Sequence, residues 1–247
     1  MIRTLCSTVL LGFAAAACAS ITPGARPHDM SSAAHRREGD AHHGAAEAQA
    51  KLYDPNAEVK QPRCSLGGGR LGADPVTCWT SISNPTAEHL SEAEEHRRHA
   101  ADHRQASSKL GELEARACMG LSSDDRDVSP FEHVEDIARV APLTETSGTS
   151  KQARRRKAGA VVTFRAVPGM TAEWLQRLVD CHLARNASLG HVVPEMPNCP
   201  LVPKGATARV TATKNGFAVA IRSSDTATAR EILSRAERLR AVPQVGR

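Results

Sequence analysis

Residues 87–118 contain no proline and a single glycine, Gly111, and that stretch constrains the fold more than any other. Ala, Glu, Arg and Leu are plentiful in it, all good helix formers. Glu92–His96, Glu94–Arg98 and Glu95–His99 are spaced i,i+4 with the acid first, the favourable order. Asn84-Pro85-Thr86 announces the start, and Gly120 supplies a stop. The stretch predicts one long helix, one side of which packs on a second helix or stands in water.

That helix carries His89, His96, His99 and His103 within an arc of roughly 80°. His99 and His103 are one turn apart and His96 and His99 three residues apart, near enough to share an ion. His89 lies about 10 Å along the axis from His96, too far to join them. The candidate metal ligands are therefore His96, His99 and His103, with Asp102 and Glu95 as neighbouring oxygen donors. Zinc, copper and nickel all accept imidazole. The same pattern has a plainer explanation, because His89, Ala93, His96, Ala100 and His103 follow heptad spacing and suit packing against another helix. A pH response is a third, since imidazoles titrate near neutrality.

Around the helix, residues 64–85 contain Gly67-Gly68-Gly69, Gly72, Pro75 and Pro85 and read as an irregular loop. No Gly-Lys-Ser/Thr follows the triple glycine, which excludes a phosphate-binding loop. Asp125-x-Asp127-x-Ser129 begins like a calcium loop, but Pro130 stands where that loop needs glycine. Ser129-Pro130-Phe131-Glu132 reads instead as a capping box opening a short helix with Phe131, Val134, Ile137 and Ala138. Folded back on Leu110 and Leu113, it completes a helical hairpin.

Beyond a polar linker the pattern changes. Ala160, Val162, Phe164 and Ala166 alternate with their neighbours at strand period. Thr171 caps a helix burying Trp174, Leu175, Leu178, Val179 and Leu183. Asn215-Gly216 between two alternating runs signals a type I′ hairpin. Asp225 opens a last helix with Ala229, Ile232, Leu233, Ala236 and Leu239. The order β-α-β-β-α gives a three-stranded antiparallel sheet with two helices on one face. It resembles a truncated ferredoxin-like unit. His182 reads as a surface or edge residue.

At the other end, Arg3 precedes an uncharged run from Leu5 to Ala17. The run has signal-peptide length and falls short of the roughly 20 apolar residues a membrane span needs. Ala15-Ala16-Ala17-Cys18 resembles a bacterial lipoprotein signal, departing from it at Ala15, where leucine is usual. The resemblance implies that Cys18 is lipidated and becomes the first mature residue, and Ala19 after it implies the outer membrane. Ordinary secretion would instead cut after Ala17 or Ala19. From Ile21 to about Pro62 the sizeable apolar residues are few, so this stretch is expected to be a disordered tether with filler histidines.

Export sets the chemistry of the seven cysteines. With Cys6 lost and Cys18 lipidated, the rest read as disulfide partners in an oxidising compartment. Proximity favours Cys64–Cys78 and Cys181–Cys199, leaving Cys118 over. Export also removes nucleic acid from the expected partners, and an aromatic content of 3% leaves few stacking platforms for it. Arg154-Arg155-Arg156-Lys157 reads as a solvated linker or a contact for anionic headgroups.

The expected class is α+β: signal peptide 1–17, tether 18–62, disulfide-stapled loop and helical hairpin 63–143, linker 144–158, and a small α+β domain 159–242. No Gly-x-Ser-x-Gly or His-Glu-x-x-His occurs, and no enzyme is expected. Two functions are open. One is a lipid-anchored bacterial envelope protein with a non-catalytic role, binding another envelope protein or a cell-wall component. The other is a transition-metal-binding protein of the periplasmic face.

Overall fold

The computed structural model describes residues 21–66, 76–147 and 154–241. The export segment with Cys18 and the triple glycine lie outside the described residues. Among these there are five α-helices and two sheets, an α+β arrangement. The long helix is present as α2, Ala87–Ala117.

The tether is the first correction. Residues expected to be disordered form α1, Ser32–Leu52, with Ser31 as its cap accepting from the Ala34 amide at 3.1 Å. α1 packs along α2, so α2 belongs to a helical hairpin with the chain before it. Its expected partner, residues 131–138, is not helical. Val134–Asp136 makes one 3-10 turn, and Ile137–Ser147 is strand β3. Ser129 bonds the Phe131 amide at 3.2 Å, turning the chain so that Phe131 stacks on Phe164. That core contact, and the β-branched Val134, Ile137 and Val140, override the local capping signal. A five-residue helix, α3, spans Ser123–Asp127.

The loop expected at 64–85 is a two-stranded ribbon, β1 Val59–Leu66 and β2 Val76–Ser83, in which Cys64 faces Cys78 across the ladder and is bonded to it. Val, Thr, Trp and Ile in β2 favour extended backbone. The ribbon joins α1 to α2 and is exposed along most of its length.

The sheet of the C-terminal half has four strands, not three, in the order β3-β4-β6-β5, all antiparallel. The expected linker is largely strand: β3 runs to Ser147 and β4 spans Arg154–Arg165. Arg156, in the basic run, pairs with Glu145 of β3 at 2.9 Å. Ala158, Ala160, Val162 and Phe164 of β4 face a core shared with α4 (Ala172–Ser188) and α5 (Thr226–Ala241). Thr171 caps α4 through the Trp174 amide at 3.1 Å, and Asp225 caps α5 through the Thr228 amide at 2.7 Å.

β5 Thr207–Thr213 and β6 Gly216–Arg222 form the expected hairpin, but its loop is Lys214-Asn215 and Gly216 opens the strand. Gly216 has φ +144°, and a side chain there would run into the Phe164 carbonyl of β4. Close approach of two strands, rather than a type I′ turn, requires this glycine.

Cys64–Cys78 pairs as expected, whereas the expected Cys181–Cys199 pair does not form. Cys181 bonds Cys118, while Cys199 is a buried free thiol. α4 passes the C-terminal end of α2, which brings Cys181 to Cys118 across 63 residues of chain. Sequence proximity gives way to helix packing.

Candidate metal centre

α1 and α2 meet antiparallel in a regular ladder. Ser32 faces Ser107 with hydroxyls 2.9 Å apart, and the Nδ1 atoms of His35 and His103 are 3.1 Å apart. Gly39 lies against Ala100, where an added Cβ would come within 3.3 Å of the Ala100 carbonyl. The Nδ1 atoms of His42 and His96 are 3.0 Å apart, and Gln49 bonds His89 at 2.9 Å. On α1 the contacting positions 32, 35, 39, 42, 46 and 49 alternate steps of three and four, and so do 89, 93, 96, 100, 103 and 107 on α2. This is a coiled-coil seam. Imidazoles, alanines and a glycine occupy positions where leucines would be usual.

The heptad histidines of α2 thus do pack against a helix, and the helix they meet carries histidines too. His42, His96 and His99 bring one ligand nitrogen each to within 4.8 Å of one another, all half-buried. With metal–nitrogen bonds of about 2.0–2.1 Å, nitrogens around a tetrahedral zinc are about 3.3 Å apart. The His42 and His99 rings approach edge-on at 5.0 Å between centroids. Three nitrogens leave a fourth position open.

The cluster differs from the expected set in one member. His96 and His99 are in it, but His103 is 4% exposed and pairs with His35, which is 0% exposed. His103 stacks on His42 with centroids 5.8 Å apart, so the buried pair backs the triad. His35 and His42, expected to be filler with at most weak metal contact, lie in a segment whose one large aliphatic residue, Leu52, is exposed, so nothing apolar marks a buried face. The signal available was their heptad spacing with Ser32, Gly39 and Ala46.

Neither expected oxygen donor stands ready. The Asp102 carboxylate accepts from the Thr22 amide at 3.0 Å and its hydroxyl at 2.6 Å, which holds it below the usual carboxylate range. Glu95 pairs with His99 at 3.7 Å. Burial, then the positive charges that His99 and His96 would carry, push His42 below the ordinary imidazole value, with Glu38 opposing. Burial, His35 and His42 do the same to His103. Neutral imidazole is the form that binds metal.

His182, expected at the surface, is fully buried on α4. Its Nε2 donates to the Asp125 carbonyl at 3.2 Å, and its Nδ1 has no partner among the described residues. It stands apart from the cluster and serves the core. Comparison with protein-family models, curated proteins and solved structures finds no match to this chain.

Proposed function

We propose that the chain binds a transition metal ion, zinc, copper(II) or nickel(II), through His42, His96 and His99, on a protein held at the bacterial envelope by lipid on Cys18. The observation that carries the reading is the convergence of three imidazole nitrogens from two helices within 4.8 Å. An all-nitrogen set suits these ions and disfavours calcium and magnesium, which take oxygen. The anchor is supported by the sequence from Arg3 to Ser20. Mass spectrometry of the mature N-terminus is expected to find lipidated Cys18; a chain starting at Ser20 would leave a secreted protein.

Calorimetric titration of the mature chain with each ion tests the site. Binding tighter than about 1 µM is expected. His42→Ala and His96→Ala/His99→Ala should each weaken it by more than the roughly 10–100-fold that loss of an outer partner costs. Binding unchanged in these variants sinks the reading.

One feature favours a second reading, in which the protein contacts another envelope protein or a cell-wall component. Val76, Trp79 and Ile82 of the ribbon are all more than half exposed, an unusual concentration for a chain with so few aromatics.

A further inference from the structure

We infer that the ion is what docks α1 onto α2, so that residues 32–52 form an arm that closes on α2 when metal is bound. This rests on the metal-binding reading above and adds a conformational consequence to it.

The composition of the interface carries the inference. α1 buries Ser32, His35, Gly39 and Ala46, and α2 meets them mainly with Ala93, Ala100, His103, Ala106 and Ser107. Leu52 is the one large aliphatic residue of α1, and it is 56% exposed. Hydrophobic stabilisation scales with apolar area buried, and alanine and glycine offer little. Ordering 21 residues opposes docking at every residue. α1 also contains Gly39 and Gly44, each unfavourable inside a helix, and helices in proteins draw most of their stability from packing of an apolar face, which α1 has little of.

What spans the interface is polar. The Arg104–Asp40 pair, at 3.5 Å, is too exposed to contribute much. Several imidazoles point across the seam. His42 comes from α1, whereas His96 and His99 come from α2, so neither helix alone supplies three ligands. A site that exists only in the docked state turns its binding free energy into docking free energy. The ends of the arm are tied independently. Thr22 bonds Asp102 ahead of α1, and beyond it the Asp54 carbonyl accepts from Asn84 at 2.7 Å. Closure is then an intramolecular step. α4 and α5 differ, since they bury leucine, valine and isoleucine and need no such clasp.

Hydrogen exchange on the full chain tests this, in EDTA and with Zn²⁺ or Ni²⁺, alongside calorimetry on the same samples. Peptides from residues 32–52 are expected to exchange roughly tenfold or more slowly with metal, while those from 158–222 stay unchanged. His42→Ala should abolish the difference and His89→Ala should leave it. Peptides from 158–222 in the same experiment report whether each variant is folded. Metal binding by calorimetry with residues 32–52 equally protected in EDTA overturns the arm and leaves the site standing. Absence of binding overturns both.

Discussion

A buried imidazole is costly to charge, and His103 and His182 are both buried and both pushed below the ordinary imidazole value. His182 offers the cleanest consequence, because it lies away from the cluster. Burial pushes it below the ordinary imidazole value, only partly offset by its bond to the Asp125 carbonyl. The folded state therefore prefers neutral His182, whereas the unfolded chain titrates near 6.5. Its contribution is fully present above about pH 6.5 and is lost as pH falls toward the lower folded value, with a slope of at most about 1.4 kcal/mol per pH unit. His182→Leu should flatten that part of the stability–pH curve, measured by urea unfolding at pH 7.5, 6.5 and 5.5. A curve parallel to that of the unsubstituted protein would place the acid sensitivity elsewhere.

At the scale of elements, the helix pair shows what heptad spacing means without leucine. The spacing in residues 89–103 was legible, and with it the expectation that α2 packs on a helix or binds metal. The partner was not legible, because a disorder argument built on large apolar residues cannot see a seam of Ser, His, Gly and Ala. Such a seam works only at close approach, and Gly39 marks one such point, with the Ala100 carbonyl and Arg104 beside it. Gly39→Val should force the helices apart and weaken zinc binding by about tenfold or more, with the C-terminal core unaffected. Calorimetry and near-ultraviolet dichroism of Trp174 would read the two effects separately. Strand β3 was hidden for a different reason. A well-formed local capping box lost to one long-range contact, Phe131 on Phe164, which no periodicity encodes.

At the scale of the molecule, α2 is the element shared by both halves. Its N-terminal part meets α1, and its C-terminal part meets α4, where the Cys118–Cys181 disulfide locks the two helices together. Most elements of the C-terminal half were legible from alternation and caps, since each buries its own apolar stripe. The cysteine partners were not, because sequence distance says little about which helix ends meet. Closing a loop of 63 residues should contribute about 4 kcal/mol in the chain-entropy model. Cys181→Ala is therefore expected to lower the unfolding free energy by about 4 kcal/mol or more, whereas Cys199→Ala, which opens no loop, should cost only about 1–2 kcal/mol of packing. Equal losses in the two variants would point to a Cys181–Cys199 bond in solution.

The central claim is that three imidazoles from two helices hold one ion. X-ray absorption at the zinc edge of the zinc-loaded full chain tests it most directly. The account predicts a nitrogen shell at about 2.0–2.1 Å with the multiple-scattering signature of three imidazoles, falling to two in His42→Ala. A sulfur shell at about 2.3 Å, or an imidazole count untouched by His42→Ala, would contradict it.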